Sequence, residues 1–285
     1  NMRKTLSFEQ EFTRVVDGRP QVLRFMRQAL DTKEVQWNDI TASNLATIAT
    51  YIASVVSPNS AVTYCAIIKA FLARYKDEGI IPCKNPERYL KAKKFPQENV
   101  ALTQDEVERI VTYYDNLLTR QGHQAEKDVL TLFLLEVFCG ARSCDIEKMT
   151  LDNIRDGKLS YVSQKTHVLA TMPVHRMLPT LLSRKPTREY FNAVKVRTIK
   201  RVAESCGIDT PTTICYHGAM QTRPKYEYLG THTARRTFAS ILAAKGVPIA
   251  EIAKYMSHTS SSMTERYIKV DTSQVSDAAL AFFKS

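Results

Sequence analysis

No C-x-x-C pair occurs among the six cysteines (Cys65, Cys83, Cys139, Cys144, Cys206 and Cys215), and the histidines and cysteines form no grouping with zinc-finger spacing. Structural zinc and a redox dithiol both need such spacing, so the thiols are expected to be reduced, with disulfides or zinc the less favoured alternatives. No metal or other cofactor is expected. Long apolar runs are also missing. The longest, VLTLFLLEVF, is interrupted by Thr131 and Glu136 and falls short of the ~20 residues that span a bilayer. The opening carries no signal peptide, because Arg3-Lys4 leads into the polar SFEQEF, and Asn1 ahead of Met2 reads as a tag remnant. No helix pairs a large apolar face with a Lys/Arg-dense one, so a membrane-surface role is disfavoured. Internal repeats are absent as well. The expectation is a cytoplasmic protein without membrane contact.

What the chain does have is positive charge. It holds 40 Lys+Arg against 29 Asp+Glu, a net +11. Residues 1–98 carry 15 basic against 10 acidic side chains and residues 99–285 carry 25 against 19, so the excess is +5 and +6. A polyanion lying across both halves would explain that sharing, and a solvated basic surface would look the same. At 285 residues, with 44% hydrophobic content, there is room for two globular domains of ~100–200 residues.

Residues 1–95 read as helices, over 6–17, 20–30, 41–55 and 58–78. Thr41 is a good N-cap for the third, and Pro58 opens the fourth at a position where a missing N–H costs nothing. Ala61, Cys65, Ile68, Leu72 and Tyr75 form an apolar stripe along the fourth, with Gly79 as its stop. KAKKFPQENV (91–100) has a linker's composition. Thr103 and Glu106 then form a capping box that opens a new helix. The boundaries expected are a helical domain over 1–95, a linker over 96–101 and a second domain over 102–285.

The second half mixes types. A long apolar helix covers 125–138 and breaks at Gly140-Ala141, just before Arg142. Strands at 159–163 and 168–174 flank a turn that holds Lys165 and Thr166. Helices follow at 176–183 and 187–206, then an irregular Pro/Thr/Gly/Tyr-rich excursion over 208–230. Helices return at 232–245, 248–256 and 260–268, with a tail helix near 276–283. The fold class is therefore mainly α with a small antiparallel sheet, an α+β protein.

Six polar residues in this half, Arg142, Lys165, His232, Arg235, His258 and Tyr267, have the character of a metal-free phosphoryl-transfer site. A phosphodiester transition state spreads negative charge over its oxygens, so fixed cations supply most of the help. Guanidiniums stay charged at any working pH and offer a planar fork, which suits Arg142 and Arg235. Loss of either should cost about 10²–10³ in rate. Tyr267 is the candidate nucleophile; a free phenol, with a pKa of ~10, is about one-thousandth ionised at pH 7, so the role needs neighbours such as His232 and His258. Lys165, in its turn, is the candidate general acid for the departing sugar oxygen. Taken singly, each has an ordinary alternative: a salt-bridging arginine, a solvated turn lysine, a packing tyrosine. Their order and spacing together outweigh those readings.

With FLLEVFCGAR, HTAR and HTSSSMTERY in view, residues 101–285 resemble the catalytic domain of the tyrosine recombinases, the phage-integrase family. The resemblance implies that Arg142 and Arg235 bind the scissile phosphate, that His232 and His258 complete those contacts, and that Lys165 protonates the 5′ oxygen. It further implies that Tyr267 becomes linked to the 3′ phosphate and that Asp145 buttresses the site. The N-terminal half looks like the family's helical, SAM-like core-binding domain, which makes Lys91, Lys93 and Lys94 phosphate contacts. The implied partners are double-stranded DNA, three further copies in a synaptic homo-tetramer and an accessory directionality factor. The implied reaction is integration or excision of a mobile element. Two details depart from the pattern: Met256-Ser257-His258 replaces the common Leu-Gly-His, and Ala141 stands where a bulkier residue is usual.

Two rival readings stay open at this level. GVPIAEIAKYMSHTSSSMTERYI also scans as a helix-turn-helix, which would make the protein a DNA-binding regulator without chemistry. A type IB topoisomerase would share the chemistry and lack the exchange of partners.

Overall fold

The computed structural model describes residues 6–95, 100–216, 219–265 and 267–268. Its described residues fall into two compact units: one runs to residue 95 and takes in 215–216 and 219–221, and the other holds the rest.

The first unit is a small helical bundle of α1 (Phe8–Val15), α2 (Pro20–Leu30), α3 (Ala42–Val55) and α4 (Pro58–Ala73). Three N-termini are capped by side-chain hydroxyls, from Ser7, Thr41 and Ser57, each satisfying an orphan backbone N–H. Phe8, Phe12 and Phe71 pack ring on ring in the core, and Ala61, Cys65, Ile68 and Leu72 are buried along α4. Two buried carboxylates are paired. Glu9 accepts from Arg27 Nε at 2.7 Å and from the Val35 amide at 2.9 Å, and Glu11 takes Arg14 and the Tyr75 hydroxyl. These cations and donors hold the Glu11 carboxyl down at about 2, the Arg14 bond foremost. The fourth helix ends at Ala73, well short of Gly79, because the amides of Arg74 and Tyr75 close back onto Phe71 and Leu72 in a tightened turn.

The second unit opens with α5 (Gln104–Leu118) on the expected capping box: Thr103 Oγ1 accepts from the Glu106 amide at 3.2 Å and Glu106 accepts from the Thr103 amide at 2.7 Å. Helix α6 (Gln124–Cys139) is buried over most of its length. It runs through the middle of a core that includes Ile110, Phe133, Leu181, Ile199 and Phe238. A short α7 (Ser143–Lys148) follows. Strands β1 (Ile154–Arg155), β2 (Lys158–Val162) and β3 (Leu169–Pro173) then form an antiparallel sheet, with Ser160 opposite Thr171. Leu159, Tyr161, Ala170 and Met172 face the core from it, by the period-2 alternation of strands. Helices α8 (Leu178–Ser183) and α9 (Asn192–Ser205) come next.

The stretch 208–230 is more ordered than its composition suggests. It holds the paired strands β4 (Pro211–Tyr216) and β5 (Ala219–Pro224) and a 3₁₀ turn at Lys225–Tyr228. Proline is tolerated at the first strand position, and the hydroxyls of Thr213 and Thr222 meet at 2.7 Å between the strands. Helices α10 (Thr233–Ala244), α11 (Ile249–Tyr255) and α12 (Ser261–Glu265) end the described chain. The tail helix expected near 276–283, and residues 96–99 of the expected linker, lie outside the described residues. Among the described residues no helix is long and apolar enough to cross a membrane.

Candidate active site

The break after α6 positions the first guanidinium. Gly140 caps α6 with φ +61°, a left-handed conformation, and its amide bonds to Glu136 O at 2.9 Å. A Cβ there would stand 2.3 Å from Phe238 Cδ1, so glycine is demanded by backbone and space alike. Arg142 follows in extended conformation as the residue preceding α7. Its Nη1 donates to Ser163 Oγ at 2.9 Å and Ser257 Oγ at 3.3 Å, and lies 4.0 Å from Asp145 Oδ2. Asp145 is buried. Its Oδ1 accepts from the Gln164 amide at 2.7 Å, which ties α7 to the turn carrying Lys165.

Arg235, on the first turn of α10, is 1% exposed. Its Nη1 donates to Gly140 O, and its Nη2 to Met256 O at 3.1 Å and to His258 Nε2 at 2.9 Å. Burial, and next the charge of Arg142, lower its pKa from the usual arginine value, which leaves it a cation at neutral pH. His258 is buried as well, and its Nδ1 lies 2.8 Å from Thr264 Oγ1. Burial first, then the charges of Arg235 and Arg142, push its imidazole down to about 4. The ring is neutral at pH 7.

Tyr267 lies directly against this pair. Its ring centroid is 5.8 Å from Arg235 Cζ and 5.2 Å from the His258 ring, and its backbone carbonyl accepts from Ser240 Oγ at 3.3 Å. His232 immediately precedes α10. It stays open to solvent, yet partial burial of the ring and then the charges of Arg236, Arg235, Lys165 and Arg142 lower its pKa. Lys165 is exposed in the β2–β3 turn. That turn is closed by the Ser163 amide on Val168 O at 3.0 Å and moored by Thr166 Oγ1 on Ser257 O at 3.1 Å.

The structure thus brings Arg235, His258 and Tyr267 into mutual contact and pairs Arg142 with Asp145, with Arg142 near enough for its charge to act on Arg235 and His258 and with Lys165 in the field that acts on His232. Lys91, Lys93 and Lys94 belong to the first unit and are all exposed; Lys93 Nζ sits 5.1 Å over the Phe95 ring. Ser163, Ser257 and Thr264 were not singled out from the sequence. Only Ser257 carried a signal: it holds φ +49°, the left-handed conformation that suits the glycine common at that position in the resembled family. The helix-turn-helix reading does not fit. Helix α12 has five residues, too few for a recognition helix that must reach several base edges. Moreover, Tyr267 packs on Arg235 and His258.

Two guanidiniums, with a phenol ring packed on one of them and a neutral imidazole beside it, offer the fixed charge and donors that an anion of phosphate shape needs. Among the described residues no group of three or more His, Cys, Asp or Glu side chains is placed to hold a metal ion. The six cysteines are unpaired, and Cys65, Cys83 and Cys139 are buried.

Residues 101–274 match the Phage integrase family. No curated protein matches the chain. Among solved structures, a lambda integrase dimer bound to a COC′ core site is 17% identical with a TM-score of 0.65, covering 95% of this chain and 99% of that one. The Tn1549 transposon integrase in complex with a circular intermediate DNA is 14% identical with a TM-score of 0.65, covering 98% and 99%. The XerH site-specific recombinase bound to a palindromic difH substrate is 14% identical with a TM-score of 0.61, covering 92% and 76%. At such identities these likenesses show a shared fold.

Proposed function

The chain belongs to the phage integrase family of tyrosine-type site-specific recombinases, and we propose that it cuts and rejoins DNA through a 3′-phosphotyrosine bond on Tyr267. The Tyr267 hydroxyl oxygen attacks phosphorus and yields its proton to the His232 imidazole, the bond to the 5′ oxygen breaks, and Lys165 gives that oxygen a proton. Return of the 5′ hydroxyl of the same or a partner strand reverses each step. Arg142 and Arg235 bind the nonbridging oxygens. His232 adds a further contact, Asp145 steadies Arg142, and His258 acts through Arg235, since both its ring nitrogens already have partners within the protein.

The observation that carries this reading is the seat of Tyr267, its ring 5.8 Å from the Arg235 guanidinium within one chain. The deciding experiment uses a nicked suicide duplex. Tyr267→Phe should bind it as the parent does and form no covalent adduct; persistent adducts would assign the nucleophile elsewhere.

The wider reading follows the same family. The helical unit over 1–95 grips duplex DNA together with the catalytic unit, and Lys91, Lys93 and Lys94 touch phosphates near the linker. Four copies assemble on two sites, as lambda integrase does on a Holliday junction, with an accessory factor setting direction. Integration or excision of a mobile element is the proposed outcome, in keeping with the lambda and Tn1549 integrases.

A further inference from the structure

We infer that Glu136 is a positioning residue for both guanidiniums of the site, clamping the turn that presents Arg142 and supplies the carbonyl on which Arg235 rests. The inference builds on the reading of Arg142 and Arg235 as phosphate ligands. Glu136 lies in the last turn of α6 and is 6% exposed. Its backbone carbonyl accepts from the Gly140 amide at 2.9 Å, and its Oε1 accepts from Ser143 Oγ. A single residue thereby holds both ends of Gly140-Ala141-Arg142: the left-handed glycine through its main chain and the first residue of α7 through its side chain. Between those anchors Gly140 O accepts from Arg235 Nη1. A shift of the turn would therefore move Arg142 and the seat of Arg235 together.

A carboxylate is a costly choice for this position, since burying one without full compensation is strongly unfavourable. Val129, Phe133 and Ile199 line the small cavity beside it, so an apolar side chain would sit there comfortably. The groups facing Glu136 are Ser143 and Glu147 from α7, Lys195 from α9 and Arg235 from α10. Burial drives its pKa up to about 7; the Ser143 bond and the charges of Arg235 and Lys195 oppose that, and Glu147 adds to it. The carboxylate form, which takes the Ser143 proton donor most strongly, gains population as pH rises through neutrality.

The test measures cleavage of the nicked duplex by the full chain and by E136L, E136Q and S143A. E136L keeps the bulk and loses the acceptor; it should cleave about 10–100-fold more slowly, as for a small misplacement of catalytic groups, while binding the duplex within about threefold of the parent. E136Q keeps an oxygen for Ser143. Its cleavage should match the parent at pH 6 and fall several-fold behind by pH 8, roughly the gap between a neutral and a charge-assisted bond. E136L cleaving like the parent would overturn the inference. Should E136L fail to fold, S143A decides, because it removes one hydroxyl; parental cleavage by S143A is equally fatal. Tyr267→Phe is run alongside. Adducts surviving in that variant would refute the proposed function, whereas Tyr267-dependent adducts with unaffected Glu136 variants would refute only the clamp.

Discussion

Arg235 Nη2 donates to Nε2 of His258 at 2.9 Å, and that single bond fixes the state of the imidazole. Arginine has no acceptor to offer, so Nε2 must be the unprotonated nitrogen. The ring proton therefore sits on Nδ1 and is donated to Thr264 Oγ1 at 2.8 Å. Arg235, His258 and Thr264 form one directed chain from α10 to α12, with Tyr267 packed on its first two members.

The far end of that chain can be removed without changing its shape. Thr264→Val is near-isosteric at a fully buried position and leaves the Nδ1–H without a partner. The expected loss is about 1–3 kcal/mol of stability, the cost of an unsatisfied buried donor, measured by urea unfolding against the parent. Cleavage should also slow, because the tautomer that receives Arg235 is no longer enforced. A variant as stable and as fast as the parent would disprove the chain.

Acid should undo the same arrangement. The His258 pKa falls from an ordinary 6.5 to about 4 on folding, so between those values the unfolded chain binds a proton that the folded chain refuses. Its contribution is complete above pH 6.5 and shrinks as pH drops, by about 2 kcal/mol at pH 5 and ~3 kcal/mol once pH 4 is passed. His232 is shifted the same way and adds to the loss. Unfolding free energies at pH 7 and pH 5 should differ less in His258→Gln than in the parent. Equal differences in both would remove His258 from the account.

Much of this site is legible in the order of its polar residues, because arginine, lysine, histidine and tyrosine carry chemistry that few other positions need. The long helices are legible for a related reason: stripes such as Ala61, Cys65, Ile68 and Leu72 repeat at helical spacing and end up buried. The hydroxyl partners are another matter. Ser163 and Ser257 meet Arg142 from 21 and 115 residues away, and serine is too common for such pairings to stand out. Helix α7 and strand β1, six and two residues long, are too short to display a period. Strands β4 and β5 were hidden by Pro, Thr and Gly, whose turn preferences mask an alternation that pairing between strands makes stable.

Gly140 offers a sharper steric test. Alanine there would have to keep φ near +61° with a Cβ 2.3 Å from the Phe238 ring. Left-handed strain of roughly 1–2 kcal/mol and overpacking of roughly 1–3 kcal/mol should both appear in Gly140→Ala. Introducing the change in a Phe238→Leu background should recover part of the second contribution and none of the first. A double-mutant cycle with no coupling between the two positions would mean that the turn is not wedged against α10 as described.

Lys165 projects from an exposed turn, and its assignment as general acid rests on what the departing oxygen needs. A 5′ alkoxide is a poor leaving group until protonated, whereas a 5′ thiolate leaves unaided. Lys165→Ala should therefore cleave an ordinary suicide duplex about 10²–10⁴-fold more slowly than the parent, the usual span for losing a general acid. On a duplex with sulfur at the 5′ bridging position the two proteins should cleave at similar rates. The turn's own anchors, Ser163 on Val168 and Thr166 on Ser257, do not involve the lysine side chain, so the substitution should leave the hairpin and DNA binding intact. If the sulfur substrate fails to restore the rate, Lys165 serves to bind phosphate, and the proton must come from another group in the same field, of which His232 is the nearest in chemistry.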